Sequence, residues 1–79
     1  MKTMTIEVQE RGAIQKSAVQ ELHSDKVEEF LEVMVLLCNK LDVDVPLWTY
    51  KNEKTLQKKN EVSMTIDSEL DMHLRIHIE

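Results

Sequence analysis

A chain of 79 residues makes one domain, and one so short buries only about 60% of its unfolded surface and is marginally stable alone. Its single cysteine excludes an internal disulfide, and 42% hydrophobic residues against 32% charged, with one Gly and one Pro, is globular composition rather than disorder. The net charge of −5 argues against nucleic acid as the main ligand and favours basic partners.

That charge is unevenly placed. Residues 1–50 carry five basic and nine acidic groups, a balance of −4, and residues 61–79 carry one Arg and five acids, again −4. Between them, KNEKTLQKKN holds four lysines and one Glu, a local balance of +3. The N-terminal MKTMTIEVQE meets Glu7 before an apolar stretch can form, so it does not read as a signal peptide. No apolar run approaches the roughly 18 residues needed to span a bilayer. With a lone thiol on an apolar face, these features predict a cytoplasmic protein.

In chain order, Met4, Ile6 and Val8 alternate with Thr5, Glu7 and Gln9, the pattern of a strand with one buried face. Arg11-Gly12 breaks the pattern. Residues 13–22 are ambiguous: Ile14, Lys16, Ala18, Gln20 and Leu22 alternate weakly, while Ile14, Ala18 and Leu22 also fit helical spacing. They are read as a second strand, hairpinned to the first.

Ser24 to Leu41, SDKVEEFLEVMVLLCNKL, reads as one helix with Ser24 as N-cap and Asp25, Glu28 and Glu29 at the positive end of its dipole. At about 100° per residue, the apolar positions Val33, Leu37, Phe30, Leu41, Met34, Val27, Cys38, Leu31 and Val35 span roughly 200° of circumference. That arc is wider than a single sheet is expected to cover. The surplus predicts a homodimer, with Val33, Leu36 and Leu37 at its interface. Val45 precedes Pro46 and is pushed toward extended geometry, which ends the helix.

Pro46 to Tyr50 reads as an extended connector, and residues 52–59 as a short helix or a loop. Val62, Met64 and Ile66 alternate as a strand, and Asp67-Ser68-Glu69 has turn composition. Leu70, Met72, Leu74, Ile76 and Ile78 then alternate without a fault against Asp71, His73, Arg75 and His77. The predicted strand, at roughly 30 Å, matches the predicted helix, at about 27 Å. The expected fold is therefore α+β, one central amphipathic helix packed on a three- to four-stranded antiparallel sheet in the order β-(β)-α-loop-β-β, as a single domain over 1–79.

The sequence carries no chemistry that specifies an enzyme. It has no Gly-rich phosphate loop, no G-x-S-x-G elbow and no H-E-x-x-H. On a strand His73 and His77 lie about 13 Å apart, too far to share a metal ion. Asp42, Asp44 and Glu53 imitate an EF-hand spacing, but Pro46 and Leu47 occupy positions the calcium loop cannot give them. Cys38 lies in mid-arc, where a thiol is an inert core group. No cofactor and no metal are expected.

The leading expectation is a non-catalytic interaction or regulatory module that binds another protein, a basic one by charge. Its contact residues are the helix flank (Asp25, Glu28, Glu29, Glu32, Leu36) and the polar sheet face (Asp71, His73, Arg75, His77), on which His73, Arg75 and His77 form a mildly basic stripe. One alternative is an acidic inhibitor whose carboxylates imitate nucleic-acid phosphates. Another is a weak nucleic-acid binder in which Lys51, Lys54, Lys58 and Lys59 hold phosphates while Trp48 and Tyr50 stack on bases.

Overall fold

The structure, a computed structural model, describes residues 2–44 and 58–79. Its elements are β1 (Lys2–Glu10), β2 (Ala13–Leu22), α1 (Val27–Lys40), β3 (Glu61–Asp67) and β4 (Met72–Ile78). The strands form one antiparallel sheet in the order β2-β1-β4-β3. The expected α+β architecture is thus observed, with the ambiguous stretch 13–22 a strand. Trp48, Tyr50, Lys51, Lys54 and the proposed helix at 52–59, apart from Lys58 and Lys59, lie outside the described residues.

β1 and β4 occupy the centre because they carry the cleanest alternation. Met4, Ile6 and Val8 stand opposite Ile78, Ile76 and Leu74, and all six are buried. Each such side chain contributes about 1.5–3 kcal/mol when fully removed from water. Helix α1 covers this face, packing on β1 and β2 and burying Phe30, Val33, Met34, Leu37 and Cys38.

The β1–β2 connection is a two-residue hairpin. Arg11 and Gly12 have φ of 52° and 83°, and positive φ at both central positions defines the type I′ turn, whose twist suits the flanking strands. A bulge opposite Val8 and Gln9 then shifts the register of β2: Val8 faces Lys16, but Gln9 faces Ile14. This overturns the simple alternation read for 13–22. Lys16, Ala18, Gln20 and Leu22 share the helix-covered face, while Ile14 is turned to the opposite one.

The helix begins two residues later than Ser24 suggests. Its N-cap is Lys26, with extended φ and ψ of −77° and 138° and no side-chain cap. Ser24 instead donates its hydroxyl to Glu29, which also accepts the His23 amide N–H. At the other end, Asp42 adopts φ 57°, its amide donates to the Asn39 carbonyl at 3.2 Å, and Val43 donates to Cys38 at 3.0 Å. These two bonds form a Schellman motif, which ends the helix at Lys40 with Leu41 as its C-cap.

β4 starts at Met72, not Leu70. Asp67 Oδ1 accepts the amides of Glu69 and Leu70 at 3.0 and 3.2 Å, which holds those residues in a turn and leaves Leu70 exposed. Asp71, at φ 51°, closes that turn, and its carbonyl accepts the Arg11 amide at 3.1 Å. The tips of the two hairpins are thereby tied together.

Candidate interaction surfaces

One helix covers one face of the sheet. The opposite face is built from residues whose positions follow directly from the register. Val19, Thr5, His77 and Glu61 form one cross-strand row; Ser17, Glu7, Arg75 and Ser63 form the next; Ile14, Gln9, His73 and Thr65 form the third. Side chains directly opposite one another on antiparallel strands are about 4.5–5.5 Å apart at Cβ, so each row is a continuous band of contacts.

Every base on this face has an acid beside it. Arg75 Nε donates to Glu61 Oε1 at 2.7 Å. His73 Nε2 lies 2.7 Å from Asp71 Oδ1, and His77 Nε2 lies 3.4 Å from Glu7 Oε1. Glu7 also accepts a hydrogen bond from Gln9 Nε2 at 3.3 Å. The expected basic stripe is therefore not a separate feature. Spacing along one strand places Asp71, His73, Arg75 and His77 together, but the carboxylates on the neighbouring strands come alongside only through pairing. Glu7 and Glu61 are the residues that spacing misses. Nothing in their own segments marks them, because only the pairing with β4 makes them neighbours of Arg75 and His77.

Thr65 Oγ1, His73 and Asp71 form a chain of hydrogen bonds, with Thr65 3.3 Å from His73 Nδ1. Its order imitates a nucleophile–base–acid relay. The Asp71 side chain is 61% exposed, however, so water competes for each link and the chain is a surface network.

Two exposed apolar side chains stand at the β2 end of these rows. Val19 and Ile14, both on β2, are 56% and 57% exposed.

The helix flank is a second surface. Glu28, Glu32 and Leu36 recur every four residues and are exposed. Asp25 Oδ1 is 3.1 Å from Lys2 Nζ. The Glu29 carboxyl is held below its ordinary range, chiefly by the Ser24 hydroxyl and then by the His23 amide.

The residues expected at an interface, Val33, Leu36 and Leu37, differ in exposure. Val33 and Leu37 are buried within this single chain, Leu37 completely, and only Leu36 keeps surface. At the margins of the arc Val27, Leu31 and Val35 are half-buried, and Leu31 packs against the core. Cys38 is fully buried on the same arc, and desolvation pushes its thiol pKa up. That disfavours the thiolate a nucleophile or metal ligand requires.

A groove of about 630 Å³ opens past the C-terminal turn of α1, with Val8, Val43, Met64 and Met72 along its apolar wall and Glu10, Asp42 and Asp44 among its polar lining. Its one lysine, Lys16, donates from Nζ to the Leu41 carbonyl at 3.2 Å. Among the described residues no group of three or more His, Cys, Asp or Glu could hold a metal ion. None of their helices is long and apolar enough to cross a membrane. Lys58 and Lys59 are exposed.

No known protein family, no curated protein and no solved structure matches this chain.

Proposed function

We propose that this chain is a non-catalytic binding module, acting as a homodimer in the cytoplasm, that engages a protein partner through the open face of its sheet. The observation that carries this reading is the three cross-strand rows centred on Glu7, Arg75 and His77, which the helix leaves uncovered. A face of paired charges gives specificity by position: a partner must present groups that fit each acid and base, and a mismatch leaves a desolvated charge. Glu7 contributes most to this, since its side chain is only 14% exposed and is held in place by Gln9 and His77. Net acidity of the whole chain selects a partner of basic character.

Affinity capture on the immobilised chain, followed by mass spectrometry, identifies the partner. Capture is then repeated with Arg75→Glu and, separately, with the helix-flank pair Glu28→Lys and Glu32→Lys. The reading predicts that Arg75→Glu loses the partner and the flank pair retains it. The reverse result overturns the assignment of the face.

A further inference from the structure

The two edges of the sheet are built differently. β3 has seven residues, starts at Glu61, ends at Asp67 and is interrupted by a bulge between Thr65 and Asp67. Shortness, charge and a bulge all keep an edge from accepting another strand. β2 has ten residues and no proline, and its bulge lies near the hairpin turn, so Lys16 to Leu22 run in regular register. Among the described residues β2 pairs on one side only. Half of its backbone N–H and C=O groups therefore point outward without a ladder partner. Lysine commonly guards such an edge, but Lys16 is engaged at the Leu41 carbonyl on the helix-covered side.

Unpaired backbone groups in an extended row are complemented by another extended chain. Charge decides whose. Two copies of a chain with net charge −5 repel one another over most of their surface. β2, AIQKSAVQEL, carries one Lys and one Glu and is neutral, so a second copy can approach here without that repulsion. Its sequence is also self-complementary. An antiparallel pair about a two-fold axis at Val19 sets Val19 opposite Val19, Ala18 opposite Gln20, Ser17 opposite Glu21 and Lys16 opposite Leu22. Every pair keeps its face, odd-numbered residues on the open side and even-numbered on the helix side, and no like charges meet. The contact covers the 56% exposed Val19.

We propose that two copies of this chain join edge to edge through β2, in antiparallel register centred on Val19, to form one eight-stranded sheet. Both helices then lie on the same side. The two polar faces merge into a single surface on the other, so the partner meets a doubled site. This inference rests on the homodimer in the reading above and gives it an interface.

The test uses the full chain in sedimentation equilibrium. The wild type is expected at twice the monomer mass. Val19→Lys and Val19→Glu each place two like charges across the axis and are expected to weaken association at least about tenfold while the circular dichroism spectrum is unchanged. A one-to-one mixture of the two variants is expected to restore the dimer, which a mere folding defect would not do. Val19→Cys is expected to form a disulfide-linked dimer on mild oxidation, since facing Cα atoms lie about 4.5–5.5 Å apart. A wild-type dimer that Val19→Lys leaves intact, or a Val19→Cys chain that does not cross-link, overturns this pairing while the homodimer survives through another surface. A wild-type monomer at all concentrations overturns both, and leaves the edge to a strand from a different protein.

Discussion

Ser24 donates its hydroxyl to the carboxylate of Glu29, five residues further along, and the same carboxylate accepts the amide of His23. The pair joins the end of β2 to the first turn of α1, although neither residue is the helix N-cap. Both bonds favour the ionised carboxylate, so Glu29 titrates below its ordinary value of 4.5 when folded. Its contribution to stability is complete above that value and is lost as the pH falls through the folded pKa. Glu29→Gln is expected to lower stability at pH 6 and to flatten the loss of stability below pH 4.5. Urea unfolding midpoints between pH 2.5 and 6 check this; parallel curves for the two proteins would reject it.

Arg11 occupies the first central position of the type I′ turn at φ 52°, a conformation that costs arginine more than asparagine, whose short polar side chain hydrogen-bonds the local backbone. Arg11→Asn keeps the amide that donates to the Asp71 carbonyl. It is expected to stabilise the protein by about 0.5–1 kcal/mol, in the range of other turn and glycine corrections. Thermal unfolding followed by circular dichroism reads the shift.

Leu37 is fully buried between α1 and the sheet of its own chain. Leu37→Ala is expected to cost about 2–5 kcal/mol through lost transfer energy and the cavity left behind. The loss should appear in denaturant midpoint without altering the oligomeric state of the folded protein. A Leu37→Ala chain with native stability but changed mass would return this residue to an interface.

Cys38 is equally enclosed, and its thiol is the less acidic for it. At pH 8 an aromatic disulfide reagent is expected to leave the native thiol unmodified and to react with it fully once urea unfolds the chain. Rapid labelling of the folded protein would contradict the burial. Cys38→Ser should cost about 1–3 kcal/mol, since it buries a hydroxyl on the apolar arc of the helix.

How much of this molecule was legible depended on the range of the interaction. The alternation in Met4–Val8 and Leu74–Ile78 reports a buried face directly, because side chains on a strand alternate whatever lies beside them. The apolar arc of α1 likewise marked Cys38 as a core group, whereas Leu37, expected at an interface, is buried in the core as well. The width of that arc did not reveal that Val33 and Leu37 are buried within their own chain. The weak alternation of 13–22 misled, as the bulge opposite Val8 and Gln9 sends Ile14 to the face away from Lys16.

The contact surfaces divide along the same line. His73, Arg75 and His77 could be placed on one face from their spacing alone. That Glu7 and Glu61 stand beside them could not, because residues some 70 positions apart, such as Glu7 and His77, become neighbours only through strand pairing. By itself the sequence determined the elements, the buried faces and the acidity, all of which arise from periodicity and composition within short stretches. Tertiary structure alone decided which charges meet, which strand is left at an edge, and that Val33 and Leu37 are buried within their own chain, because register and sheet order are set by the closure of loops between distant segments.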